Sequence, residues 1–258
     1  MLQVLWARKH SGFRRALLWA LAGAALLLFS AGSSRSWAQA VTDGGLPEAF
    51  ATLSQSVGAL YQKDGNGNLG FSCTVTVVAH EMTHSVLLTA GHCASRNTSY
   101  AISLDGARFY GVRPWKLSKA ALDPKFHRPY REPEVDIALL VTDEVLPVPA
   151  VSFAEGYTAL PGTEVLMVGF PLGVTKVRYA GIIAGQLDQP GSDQHTYLIL
   201  QIFGAPGNSG SAIVDRLSGK IAGVLSAGKQ DRAGLPVIFA VPAHYRTLLQ
   251  DVETPVKP

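Results

Sequence analysis

From Gly70 onward, apolar and polar positions exchange every few residues, in short runs rich in Val, Ile, Thr and Tyr that are broken by Gly, Pro and Asp-Gly. That is the patterning of an all-β chain. Strands are expected at Thr74–Val78, Ser85–Thr89 and Tyr100–Leu104, the last leading through Asp105-Gly106 into Ala107–Val112 as a hairpin. A basic, proline-punctuated stretch from Arg113 to Pro133 reads as a loop, followed by an apolar strand that starts at Asp136. Composition turns linker-like between Pro147 and Gly162, and a second set of strands follows at Glu164–Gly169, Lys176–Ala184, Thr196–Phe203, Ser211–Val214, Lys220–Ser226 and Val237–Val241. Two groups of about six strands suggest two antiparallel six-stranded β-barrels, over about residues 70–145 and 160–243. Ala243–Val252 reads as a C-terminal helix. Before Gly70 the signals are weak: Pro47–Leu53 fits a short helix and Asp64–Asn68 a turn. That turn is not a calcium loop, because Leu69 and Val75 stand where the loop needs glycine and glutamate.

The first forty residues break the pattern. Arg8, Lys9, Arg14 and Arg15 precede an apolar run from Ala16 to Phe29, and small residues ending in Ala38-Gln39-Ala40 follow, the layout of a secretory signal peptide cleaved after Ala40. The apolar run is shorter than the ~20 residues a membrane span needs. A leader at 1–40 is therefore expected, with a secreted or periplasmic domain over 41–258 and no stable membrane insertion after cleavage. Export alters the charge balance. The whole chain has 22 basic and 19 acidic residues, but losing the five basic ones at Arg8, Lys9, Arg14, Arg15 and Arg35 leaves 17 against 19. A near-neutral mature chain gives no reason to expect a nucleic-acid partner. The full chain's 47% hydrophobic content with 16% charge suits a globular protein with a sizeable core. The two cysteines, Cys73 and Cys93, are expected to pair in an oxidising compartment.

Residues 204–215 read Gly-Ala-Pro-Gly-Asn-Ser-Gly-Ser-Ala-Ile-Val-Asp, a glycine-rich loop between two strands with Ser209 at its centre. A serine hydroxyl is a poor nucleophile without a neighbouring base and N–H groups aimed at the developing oxyanion. Gly207 and Gly210 permit the turns that gather such groups. Taken alone, the stretch reads equally well as a β-turn with an exposed serine. Two upstream stretches supply partners: Val86–Cys93 places His92 at the end of an apolar strand, and Glu134–Val141 places Asp136 at the start of another.

Thr-Ala-Gly-His-Cys, Asp-Ile-Ala-Leu-Leu and Gly-Asn-Ser-Gly-Ser, in that order, resemble the chymotrypsin-type (trypsin-like) serine proteases. The order His, Asp, Ser separates them from the other folds that carry this triad. The similarity runs from about Cys73 to Ala243. It implies a double barrel with the site in the cleft between, Ser209 as nucleophile, His92 as base, Asp136 as the group that orients it, and the N–H groups of Gly207 and Ser209 as oxyanion hole. It further implies a Cys73–Cys93 bridge, backbone pairing of peptide or protein substrates with Ser226-Ala227-Gly228, and no cofactor. By position Phe203 would form the base of the primary specificity pocket, with Leu225 and Val237 lining it, which favours cleavage after small or medium aliphatic residues. Asn208 stands where digestive relatives carry the aspartate that pairs with a newly freed N-terminus, so the chain resembles the HtrA-type and glutamyl-endopeptidase-type branches instead. Only six residues follow the expected terminal helix, too few for the peptide-binding (PDZ) domain of HtrA-type relatives.

His80-Glu81-Met82-Thr83-His84 matches the zinc-metalloprotease pattern H-E-x-x-H, which would make this a zinc hydrolase. That chemistry needs the pentapeptide on a helix, with both histidines on one face. The flanks here are Thr74–Val78 and Val86–Leu88, β-branched and strand-like, so a hairpin connection is expected and no metal site is assigned. A non-catalytic, protease-like binding protein is the other alternative; it would typically lack a triad member, and none is missing. His127, His195 and His244 lack partners at recognisable spacing and read as surface or structural histidines. Asn97-Thr98-Ser99 is a glycosylation sequon of the kind that occurs by chance.

Overall fold

Leu60, Val75, Val77, Leu87, Ile102 and Leu140 are all fully buried, and they come from five different strands that turn one face inward. The structure, a computed structural model, describes residues 45–118, 136–153, 160–188, 196–230 and 236–251. Helix α1 (Gly45–Ser56) leads into β1 (Val57–Lys63), β2 (Leu69–His80), β3 (Ser85–Thr89), β4 (Tyr100–Ser103), β5 (Phe109–Leu117) and β6 (Ala138–Thr142). Their antiparallel order β4-β1-β2-β3-β6 closes on itself because β5 pairs with β4 through its first half and with β6 through its second. The second barrel comprises β7 (Glu164–Gly169), β8 (Val177–Asp188), β9 (Thr196–Gln201), β10 (Ala212–Asp215), β11 (Ile221–Gln230) and β12 (Pro236–Pro242), closed in the order β10-β11-β12-β9-β8-β7. Val165, Met167, Ile183, Leu198, Ile213 and Ile238 fill it. The architecture is the chymotrypsin-like double barrel, with closure removing the free sheet edges that a single open sheet would expose.

Two expectations need correction. The first barrel begins at Val57, not near Gly70: β1 pairs with β2 on one side and with β4 on the other. The C-terminal helix is a six-residue 3-10 turn, Ala243–Leu248, after which the chain returns to an extended conformation at Leu249 and adds β13 (Gln250–Asp251) to β5. Pairing at the barrel edge wins there over a helix too short to be stable on local propensity. The expected leader at 1–40, His127, His195 and most of the stretch from Arg113 to Pro133 lie outside the described residues. Among the described residues no helix is long and apolar enough to cross a membrane.

The H-E-x-x-H pentapeptide is the end of β2 and a hairpin turn, closed by Glu81 N–H donating to the His84 carbonyl at 2.9 Å. His80 is engaged on both sides: Nε2–H donates to the Val148 carbonyl at 2.8 Å, and Nδ1 meets the Ser85 hydroxyl at 2.9 Å. That hydroxyl also accepts the Leu146 N–H at 2.8 Å, so the histidine serves as a structural link.

The place of β1 in the barrel is open to a direct check. A Cβ on Gly58 would lie 2.6 Å from Ile102 Cδ1 and 3.0 Å from the Ser103 carbonyl oxygen. Gly58→Val should therefore lower stability by about 1–3 kcal/mol through overpacking, measured as the shift in urea midpoint. A shift inside the ~0.5 kcal/mol scatter of surface substitutions would mean β1 is not packed in this way.

Candidate active site

β3 delivers the histidine. At its end the chain tightens into a 3-10 turn, Gly91–Cys93, which projects His92 into the cleft while Gly91 and Cys93 stay buried. Cys93 and Cys73 have their sulfur atoms at bonding distance, which sets this turn against β2. Asp136 lies two residues before β6 and is 5% exposed. Its carboxylate accepts His92 Nδ1–H at 2.7 Å and the His92 backbone N–H at 2.6 Å. A third donor comes from the other barrel: Ser226 Oγ–H donates to Asp136 Oδ2 at 2.6 Å.

The position of Ser226 has a backbone cause. Along the β11–β12 ladder Leu225 faces Ala240 and Ala227 faces Phe239, so Ser226 is the extra residue of a β-bulge. A bulge re-aims its side chain, and here it turns a buried hydroxyl onto Asp136 rather than outward to a ligand. Ser226 was expected only as a backbone partner for substrate; its side chain has this second task.

These contacts set the titration of the pair. Burial disfavours the charged imidazole, but the hydrogen bond to Asp136 and that carboxylate's charge outweigh it, holding His92 above its ordinary value of 6.5. Burial likewise opposes ionisation of Asp136; the bond from His92, its charge, the Ser226 hydroxyl and the His92 N–H more than offset this, keeping the carboxyl below its usual range.

The glycine-rich loop that carries Ser209 follows β9 and enters β10. Gly207 (φ +95°) and Gly210 (φ +86°) both lie in the left-handed region. Space also demands glycine, since a Cβ on Gly207 would collide with the Phe170 carbonyl and one on Gly210 with the Thr74 carbonyl and Thr89 Oγ1. Ser209, between them, lines the same cleft as His92. Asn208 is fully buried, and neither amide atom of its side chain has a partner among the described residues. An uncharged amide is therefore buried in the loop next to Ser209.

The cleft has a volume of about 370 Å³, and Gly204, Leu225, Ala227, Gly228, Pro236 and Ile238 form much of its wall. Two expected pocket residues are displaced. Phe203 is 60% exposed and stacks on Tyr179 of β8 at 5.8 Å between ring centroids, outside the cleft. Beneath Gly204 lies Ile238 instead, close enough that a Cβ on Gly204 would come within 2.6 Å of its Cδ1. Val237 is absent from the wall because side chains alternate along β12, which sends Pro236 and Ile238 to one face and Val237 to the other. Lys229 adds a cation to the lining, and among the described lining residues there is no carboxylate.

A sequence profile of the trypsin-like peptidase domain family matches residues 73–224, more than half of the chain. No curated protein sequence matches. Among solved structures, the HtrA-type protease AlgW with a decapeptide superposes with a TM-score of 0.59 at 20% identity, over 77% of this chain and 64% of that one. The chain thus spans just under two thirds of AlgW's length. The active form of the Rv3671c protease from M. tuberculosis gives 0.57 at 20% identity over 76% and 79% of the two chains. Both likenesses establish the shared fold.

The coupling between His92 and Asp136 predicts an NMR titration. The His92 ring should titrate above 6.5 in the intact protein and below it in Asp136→Asn, where burial remains but the carboxylate is gone. An unchanged midpoint in the variant would show that Asp136 does not govern the ring.

Proposed function

The chain belongs to the trypsin-like peptidase domain family, and from that membership we propose an exported serine endopeptidase working through a Ser209–His92–Asp136 triad. The observation that carries the proposal is the buried Asp136 carboxylate gripping His92 Nδ1–H at 2.7 Å in the cleft that Ser209 also lines. With Nδ1 committed to Asp136, Nε2 is the ring atom left to act as base.

His92 takes the Ser209 proton as Oγ bonds to the peptide carbonyl carbon, and the resulting oxyanion is held by the N–H groups of Gly207 and Ser209. His92 then returns the proton to the leaving amine as the C–N bond breaks, leaving an acyl-enzyme on Ser209. Water, deprotonated by the same ring, hydrolyses the ester and restores the hydroxyl. Asp136 keeps the tautomer and stabilises the imidazolium, in line with the raised pKa of the ring.

Substrate is a peptide or protein segment. AlgW carries a decapeptide in its solved structure, and in this chain β11 runs on to Gln230 along the cleft after its pairing with β10 ends at Val224. An extended peptide laid beside residues 226–228 would be recognised by its backbone. The apolar wall of Leu225, Pro236 and Ile238 favours a small or medium aliphatic side chain before the cut. Export through a cleaved leader is consistent with the Cys73–Cys93 pair, which would be reduced in a cytosol.

Ser209→Ala should lower casein hydrolysis by about six orders of magnitude while leaving the circular dichroism spectrum intact; retained hydrolysis in the pure variant would overturn the assignment. Digestion of a peptide library by the mature chain should give Ala, Val or Leu before the cut, with modest selectivity because each methylene contributes only about 1–3 kcal/mol. A dominant Arg, Lys or Glu would show that the pocket lies elsewhere.

A further inference from the structure

We propose that Thr74 is a positioning residue for the oxyanion hole, its hydroxyl reaching from the first barrel to fix the Gly207–Asn208 peptide, the plane that joins the Gly207 N–H to Ser209. The proposal rests on the catalytic reading above. A glycine at a left-handed φ has neighbouring peptide orientations of similar energy, so the loop's own sequence does not choose between them. Contacts from outside the loop must do so. The peptide between Pro206 and Gly207 is planar and trans, which points the Gly207 N–H opposite to the Pro206 carbonyl. That carbonyl accepts the Leu172 N–H at 2.7 Å. The next carbonyl, Gly207 O, accepts Thr74 Oγ1–H at 2.8 Å. Leu172 thus directs the Gly207 N–H and Thr74 fixes the peptide that follows it, so the two peptide planes meeting at the Gly207 Cα are held, one from each barrel.

The direction of the Thr74 bond is settled by its other partner. Its oxygen accepts the Phe170 N–H at 3.1 Å, and a hydroxyl has one proton to give, so that proton goes to Gly207 O. The Thr74 backbone is also occupied: its N–H donates to the Ser209 carbonyl at 2.9 Å, and its carbonyl accepts Thr89 Oγ1–H at 2.9 Å. Thr74 is fully buried, so water does not compete for these bonds. The turn that supplies Phe170 and Leu172 holds Leu172 at φ +56°, a left-handed backbone at a non-glycine residue. Such strain persists where surrounding contacts over-determine it. Through one side chain, β2 therefore reaches the Gly207 carbonyl, the Phe170 amide and, by its backbone, Ser209 itself.

The test compares Thr74→Val, which removes the hydroxyl at nearly constant volume, with Thr74→Ser, which keeps it. The probe is diisopropyl fluorophosphate, whose phosphoryl oxygen must enter the oxyanion hole as Ser209 is modified. Thr74→Val should be modified about 10–100-fold more slowly than the parent and lose casein kcat by a similar factor, with KM within about two-fold. Thr74→Ser should recover most of the rate, and the His92 titration should be unchanged in both. Thr74→Ala, which also lacks the hydroxyl and imposes no methyl group, is read in the same way if valine is not tolerated. A folded Thr74→Val or Thr74→Ala that reacts at the parental rate would overturn the clamp alone. A parent that fails to react at all would overturn the clamp together with the serine-protease reading.

Discussion

Everything at the site depends on keeping one carboxylate ionised without water. Asp136 is 5% exposed, and an unpaired charge at such a depth would be far more costly than any single packing contact contributes. Its three donors offset that cost, and they come from both halves of the molecule: two from the His92 turn in the first barrel, one from Ser226 in the second. Closing the barrels against each other and completing the charge network are therefore the same event. A chain with its barrels apart would leave Asp136 short of a donor and His92 less firmly oriented.

The loop that carries Ser209 is tied by the same logic. Gly210 N–H donates to the Leu225 carbonyl, and Leu225 N–H to the Ser211 carbonyl, which fastens the loop to β11 within the second barrel. Toward the first barrel, Thr74 holds Gly207 and Ser209, and Thr76 Oγ1 accepts the Ala212 N–H at 3.4 Å. One face of β2 thus serves as a template for a loop that belongs to the other barrel. Neither barrel alone contains a site; the site is the seam.

Much of this was legible in the residues. Strands Ser85–Thr89 and Glu164–Gly169 match β3 and β7 to the residue, because β-branched runs there are bounded by clear breaks. Strand β1 escaped notice since Val57-Gly58-Ala59-Leu60 buries four successive residues and shows no alternation to read. The 3-10 turn and β13 at the C-terminus were hidden because pairing with β5, a long-range contact, overrides local helical patterning. At the site, His92, Asp136 and Ser209 stood out through their flanking motifs. What local sequence does not carry is register: a bulge sends Ser226 to Asp136, a one-residue difference replaces Val237 by Ile238 in the cleft, and Phe203 finds an aromatic partner in Tyr179 outside it. Thr74 read as an ordinary strand residue, and only the meeting of the barrels reveals its contacts.

The central claim, that a base held by buried Asp136 activates Ser209 for covalent chemistry, is tested most directly by pre-steady-state reaction with p-nitrophenyl acetate. A burst of about one equivalent of p-nitrophenol per chain, with the acetyl group located by mass spectrometry on the peptide containing Ser209 and no burst in His92→Ala, is the outcome this account predicts. Steady release with no burst and no acetylated Ser209, from protein whose fold is intact, would contradict it.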